Sequence, residues 1–313
     1  MDFTIDPDTV AIAEAVLRFV EREVLPLQQR HHDLLGSERS LFDASGRYVP
    51  EALALRQQVR KRSAELGFYT LFGDETLGGG GQGAQVMAHV QEVLNHRVGP
   101  AQPLVQTVVL PSPFTNGLSP VLRHLKPDIF AQYRDGIASG DKTLCFGLSE
   151  PDAGSDVFGM RTRAVRDGDE WVLTGTKQWI TNSPYADYAM VFALTDPEAA
   201  ARHKGGVTGF FVDTRVPGFS VPRIINTMGH LGGDTGVIVL DGVRVRDDHR
   251  LGDVGRGLAV AMDGVNAGRM GMAASCLGLA RWALDQAVDY AKVRKTFGVP
   301  IAEHQAIQLM LAD

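Results

Sequence analysis

The stretch CFGLSEPDAGSDVFG, residues 145–159, sets small polar groups directly behind an apolar run. Residues 144–148 read as a buried strand that delivers backbone groups to its end, and Ser149 adds a hydroxyl beside them. Ala153-Gly154-Ser155 lets the backbone approach a ligand closely. It also offers N–H donors with a hydroxyl, a set that suits phosphate or pyrophosphate. About twenty residues on, KQWITN, residues 177–182, puts Trp179 two positions before Thr181. On a strand those two face one side. There an indole and a hydroxyl could pack on a flat heterocycle and hydrogen-bond its edge. Taken alone, Trp179 reads as a core tryptophan with a polar neighbour.

Other constellations carry less chemistry. GGGGQG, residues 78–83, satisfies G-x-G-x-x-G, but that pattern holds a dinucleotide only between a strand and a helix of a βαβ unit. Here it follows a helical stretch and reads as a flexible surface turn. His31 and His32 are adjacent and cannot share a helix face at i, i+4 spacing. Cysteine and histidine nowhere fall at metal-ligand spacing, and no G-x-S-x-G elbow is present. Cys145 and Cys276 sit far apart in apolar runs and read as small buried hydrophobes of a reduced compartment. Arg294, just past a long helical pattern, has a guanidinium suited to a pyrophosphate; a solvated surface charge is the plainer alternative.

The elements that must position these groups follow from periodicity. Asp6-Pro7 reads as a helix start, with Val10, Ala13, Leu17, Val20 and Val24 at helical spacing. Residues 50–66 predict a second helix stopped by Gly67, and residues 84–97 a third. Residues 34–49 read as loop. From about residue 142 the segments TLCFGL, RTRAV, EWVLTG, DYAMVFAL, TGFFVD and GVIVL predict short strands, and Asp167-Gly168 a hairpin turn. Strands in succession without helices between them predict an antiparallel sandwich or barrel. From about Gly255 a long helical pattern returns through Tyr290; RKTFGVP breaks it, and a further helix starts at Ile301. The expected class is α+β multidomain: an N-terminal α-helical domain (1–140), a middle antiparallel β-barrel (141–250) and the start of a C-terminal helical bundle (251–313).

Composition sets outer bounds. The 313 residues are 44% apolar with a net charge of −6, which argues against nucleic acid as the main ligand. The acidic start MDFTIDPDTV lacks the regions of a signal peptide. Asp263, Asn266 and Arg269 interrupt the longest apolar stretch, so no membrane span is expected. The expected location is the cytoplasm, or the mitochondrial matrix if a transit peptide has been removed.

SEPDAGSDV followed by GTKQWITN resembles the acyl-CoA dehydrogenase family. The resemblance continues through TMGHLGGDTGVIVLDGVRV and DYAKVRKTFGVPIAEHQAIQLMLAD, covering residues 143–313 at motif level. It implies FAD between barrel and C-terminal helices. By resemblance, residues 146–155 lie along the flavin, Phe146, Gly147 and Gly154 among them, with Leu148 and Ser149 near the ring and Ser155 near phosphate. Trp179 and Thr181 cover and hydrogen-bond the ring, and Ile180 between them belongs to the same cofactor-binding stretch. Arg294, Lys295, Thr296, Phe297, His304 and Gln305 reach the FAD of a neighbouring subunit, implying a homodimer or homotetramer. Ser155, Asn266 and Arg269 match substrate-contacting positions, although Asn266 replaces the acidic residue of familiar members.

The reaction the resemblance implies is α,β-dehydrogenation of an acyl-CoA, with electrons passing to an electron-transfer flavoprotein. It needs a hydride acceptor, polarisation of the thioester carbonyl and a base for the α-proton, in the family a glutamate. One family position for that glutamate is occupied here by Gly268; the other is expected beyond Asp313. Glu150 belongs to the flavin-loop motif and is not expected to be the base. Two alternatives keep the fold: a flavin-dependent monooxygenase or oxidase, and a non-catalytic partner subunit of a heteromeric dehydrogenase.

Overall fold

A computed structural model describes residues 4–100, 102–227 and 234–313. Part of the motif TMGHLGGDTG lies outside the described residues. The helices, in chain order, are α1 (Pro7–Phe19), α2 (Leu25–Arg30), α3 (His32–Leu35), α4 (Glu38–Leu41), α5 (Pro50–Glu65), α6 (Ala84–Val98), α7 (Pro127–Ala138), α8 (Pro197–Ala201), α9 (Gly257–Val293) and α10 (Gln305–Ala312). The strands are β1 (Leu144–Gly147), β2 (Arg163–Asp167), β3 (Glu170–Thr181), β4 (Tyr188–Leu194), β5 (Val207–Asp213), β6 (Phe219–Ile224), β7 (Thr235–Arg246) and β8 (Arg250–Leu251), with a small β9–β10 pair at Lys295–Thr296 and Val299–Pro300. Pro7 and Pro50 each stand in the first turn of a helix, where their missing N–H costs nothing. Asp6 holds the N-cap position without a side-chain capping bond. Gly67, at φ +81, ends the run that begins with α5. The segment expected as loop before it carries the short helices α3 and α4.

The described chain gathers into two compact units. One comprises the described residues of Met1–Glu23, Gly83–Gln102 and Arg269–Asp313. In it α6 packs on α9 so closely that a Cβ at Gly278 would lie 2.4 Å from the Glu92 carbonyl oxygen. Arg281–Glu92 at 2.6 Å and His96–Asp285 at 2.7 Å flank that contact.

The other unit, Val24–Gln82 with Pro103–Gly268, contains the sheet. Its eight strands follow the order β6-β7-β3-β2-β4-β5-β8, with β1 added on β4. The β2–β3 hairpin turns at Gly168, φ +61, as the Asp-Gly pair predicts. Strand β4 is buried along its whole length, and its side chains divide by parity. Tyr188, Met190, Phe192 and Leu194 face a core shared with α7 and the start of α9; Ala189, Val191 and Ala193 face a core built with β3 and β7.

Several expectations need correction. The sheet is not purely antiparallel: β1 and β2 each lie parallel to β4. Nor is it a closed barrel among the described residues, since the path ends at β6 and β8. The edges explain why. Strand β8 has two residues, and β6 loses register between Ser220 and Arg223, where Pro222 has no N–H to give a further strand. Residues 78–83 are also not a flexible turn. The N–H groups of Gly79, Gly80, Gly81 and Gln82 donate to Asp74, Thr70, Gly73 and Leu71, so the glycines form a bonded knot that any Cβ at Gly79 would breach. Cys145 is buried as expected, whereas Cys276 is exposed on α9.

Candidate functional site

Strand β1 carries Leu144 and Cys145 fully buried and then releases the chain at Gly147. Phe146, half-buried, packs its ring against Phe114 (5.1 Å) and Phe192 (5.0 Å). Leu148 and Ser149 are half-buried. Glu150 and Ala153 exchange backbone hydrogen bonds at 2.8 and 3.3 Å, closing a tight loop, and Gly154 and Ser155 emerge exposed. A Cβ at Gly154 would meet nothing within 4 Å, so the approach to its backbone is open.

A buried ion pair holds the base of this loop. The Lys177 ammonium, wholly buried, donates to the Glu150 carboxylate at 2.7 Å and to the Leu148 carbonyl at 3.1 Å. The same carboxylate accepts the backbone N–H of Arg161 (2.6 Å) and of Thr162 (3.1 Å). Burial draws the Lys177 pKa down to about 8, against the opposing pull of Glu150. Burial acts to raise the Glu150 pKa, but the Lys177 charge and the Arg161 N–H outweigh it and hold the carboxyl below its ordinary value. The pair is therefore ionised at neutral pH. Both oxygens of the Glu150 carboxylate are thus occupied by donors.

Beyond Lys177 the strand changes phase. Lys177 pairs with Ile238 and Ile180 with Gly236, so three steps on β3 oppose two on β7. The extra residue is a bulge. Trp171, Leu173 and Lys177 point inward on one parity, and Ile180 points inward on the other. Trp179 is thereby turned out, with 55% of its surface exposed, at φ +65, a costly conformation for a bulky residue. Thr181 is exposed as well, while Ile180 is 2% exposed and serves the core. The reading of Trp179 as a core residue is therefore wrong. Gln178 N–H donates to the Ser149 carbonyl at 2.9 Å, joining the bulge to the loop after β1.

Gly268 lies on α9 against the Phe114 ring: a Cβ there would sit 2.5 Å from Cε2 and 2.6 Å from Cζ. Gly264, one turn earlier, would meet Phe146 at 3.6 Å and Phe114 at 3.7 Å. The two glycines form a flat strip on the helix that the aromatic ring covers. Asn266 and Arg269 are exposed and, at i, i+3, share one side of α9.

In the other unit, α9 ends at Val293 and residues 294–300 form a hairpin, with Thr296 paired to Val299 and Lys295 to Pro300. Ile301 N–H donates to the Arg294 carbonyl at 2.8 Å. Arg294, Lys295 and Gln305 are exposed. Phe297, at the tip, is 98% exposed with φ +52. The Thr296 hydroxyl and His304 Nε2 lie 2.9 Å apart, bracing the hairpin against the start of α10.

The Lys177–Glu150 pair and the Phe114 ring were missed in the sequence. A lysine in phase with Trp171 and Leu173 on β3 was the available signal for the first. Nothing local marks Phe114, which acts across some 150 residues. Among the described residues no three metal-ligating side chains group together, and no helix is long and apolar enough to cross a membrane.

Comparison with known proteins adds an independent line. The acyl-CoA dehydrogenase middle-domain family model matches residues 145–243, and the C-terminal-domain model matches residues 255–313. The caffeyl-CoA reductase-Etf complex subunit CarC of Acetobacterium woodii is 36% identical over 265 residues, which are 85% of this chain and 68% of that protein. The human mitochondrial short-chain specific acyl-CoA dehydrogenase is 36% identical over 277 residues, 88% of this chain and 65% of that protein. The crystal structure of a glutaryl-CoA dehydrogenase from Mycobacterium smegmatis in complex with FADH2 superposes with a TM-score of 0.76 at 29% identity, covering 98% of this chain and 71% of that one. The chain thus spans about two thirds of the length of such relatives. These matches establish that the chain belongs to the acyl-CoA dehydrogenase family, whose members are FAD-dependent oxidoreductases acting on CH–CH bonds.

Proposed function

We propose that the protein binds FAD along residues 146–155 and at Trp179 and Thr181, Ile180 between them serving the core, and catalyses α,β-dehydrogenation of an acyl-CoA thioester, with an electron-transfer flavoprotein as redox partner. The observation that carries the reading is the outward Trp179, a flat apolar surface more than half exposed on strained backbone. Strain of about 1–3 kcal/mol at a bulky residue persists where the fold enforces it, commonly at ligand sites. Beside it stand the chemical groups a flavin nucleotide needs. The indole packs on the ring face. The Thr181 and Ser149 hydroxyls hydrogen-bond its edge. The open backbone at Gly154 and the Ser155 hydroxyl receive phosphate. Bound there, FAD supplies the acceptor for the hydride leaving Cβ.

Arg294, Lys295, Thr296, Phe297, His304 and Gln305 serve a second copy's cofactor in a homodimer or homotetramer. Ser155, Asn266 and Arg269 border the acyl-CoA. Neither Gly268 nor the bonded Glu150 removes the α-proton. The three-part organisation at 1–140, 141–250 and 251–313 belongs to the same proposal.

The relatives favour a second reading of direction. The CarC relative is a caffeyl-CoA reductase subunit, and a 3-(aryl)acrylate reductase of Clostridium sporogenes is 35% identical over 85% of this chain. A site complementary to the transition state serves both directions, so reduction of an arylacryloyl-CoA fits the same groups. Anaerobic mixing with saturated acyl-CoAs, and of the reduced protein with enoyl- and arylacryloyl-CoAs, separates the two. Bleaching by the saturated set supports dehydrogenation, and re-oxidation by the aryl set alone supports reduction. Rapid consumption of oxygen by the reduced protein would favour an oxidase or monooxygenase. A protein that takes up no FAD would be a non-catalytic partner.

A further inference from the structure

We infer that Lys177 and Glu150 are positioning residues: the buried pair sets the register of the β3 bulge and so decides that Trp179 faces outward beside the loop after β1. The inference rests on the FAD-site reading for its functional consequence, but its structural half stands alone.

The geometry points this way in three steps. The pair is a junction of three segments: Lys177 on β3, Leu148 and Glu150 after β1, and Arg161–Thr162 entering β2. It sits at the last inward position before the phase change, with Trp179 two residues later. Finally, the bulge has an alternative. A slip of one residue reverses the facing of every later side chain, which would turn Trp179 inward and Ile180 outward. Residue 177 keeps its place in either register, so an apolar side chain there would fill the space but tie nothing to β3. The ammonium holds the Leu148 carbonyl and the Glu150 carboxylate on β3, and with them the Ser149 carbonyl that accepts from the Gln178 N–H inside the bulge. A buried ion pair is poor value as a source of stability, and its best-attested use is to specify register. The Gln178–Ser149 bond, next in line, then brings the loop alongside the indole.

The test compares the wild type with Lys177→Met/Glu150→Gln, which removes both charges while keeping side-chain volume. Three quantities are measured: acrylamide quenching of the Trp179 component in the apoprotein (isolated by difference from Trp179→Phe), the FAD dissociation constant, and the fluorescence of bound flavin. An indole in contact quenches flavin emission, so that signal reports the ring's position rather than stability. The expected result is a loss of Trp179 accessibility, FAD binding weaker by about tenfold or more, and brighter residual flavin. Unchanged quenching and unchanged affinity would overturn the inference. If Trp179 becomes protected but affinity holds, the register role stands and the FAD-site reading fails. Should the double variant not fold, Glu150→Gln alone keeps an acceptor for Lys177 at the same place. It should show the same changes to a smaller degree, and wild-type values in all three measurements would overturn the inference equally.

Discussion

Replacing Trp179 by alanine separates a ligand surface from a core residue. A buried tryptophan costs ~3–5 kcal/mol when truncated. Trp179 keeps 55% of its surface in solvent, so of the roughly 200 Å2 an indole can bury, about 90 Å2 is engaged within the chain. At about 25 cal/mol/Å2 that is ~2 kcal/mol at most, and less against a realistic unfolded state. For a chain of this length it lowers Tm by about 2–3 °C. The exposed share, roughly 110 Å2, is available to a flavin. Covering it is worth ~2–3 kcal/mol, or about a hundredfold in Kd as an upper figure. The measurement is a pair of titrations: FAD binding followed by fluorescence, and melting of the apoprotein. A Kd within about threefold of wild type, together with a Tm loss above about 6 °C, would show the indole to be structural and refute the reasoning.

Four further outcomes follow from the structure. Lys177→Met alone strands a buried carboxylate and should destabilise the fold by ~3–5 kcal/mol, with most of the loss recovered in Lys177→Met/Glu150→Gln; urea melts measure both. The lowered pKa of Lys177, about 8 against an ordinary value of 10.5, also has a sign. Between those values the unfolded chain binds more protons at this site, so the stability of the wild type relative to the double variant rises with pH across that window. Gly268→Glu should cost about 1–3 kcal/mol because its Cβ meets the Phe114 ring, and adding Phe114→Ala should restore much of that in thermal melts. Gly278→Ala pushes its Cβ against the Glu92 carbonyl and should lower stability by a similar ~1–3 kcal/mol, separating α6 from α9.

Legibility varied by element in ways that have causes. Helices α5, α6 and α9 were readable from helical spacing with proline or glycine at their ends, and strands β1 to β5 from short runs of β-branched, aromatic and other apolar residues separated by turn signals. Strands β6 and β8 escaped: β6 has no fully buried residue and carries Pro222, and β8 has only two residues. The loop of residues 148–155 was legible because glycine and small polar residues behind a buried strand leave little else to expect. The glycine knot at 78–83 was misread as flexible, since its bonds go to residues 70–74 and no pattern within the glycines announces that. Cys276 was misread because an apolar neighbourhood in a helix does not say which face is covered.

The linear order of residues determined the helix–sheet–helix succession, the chemistry of the loop after β1 and the presence of an indole and a hydroxyl two residues apart. All of these depend on local periodicity and residue type. Tertiary structure decided which way that indole points, which lysine is buried and whether residue 268 has room for a side chain. Those outcomes turn on a one-residue register difference between β3 and β7, a pairing across 27 positions of chain and a ring from residue 114 lying on a helix at 268. Each depends on groups distant in sequence competing for one space, and no local pattern encodes that competition.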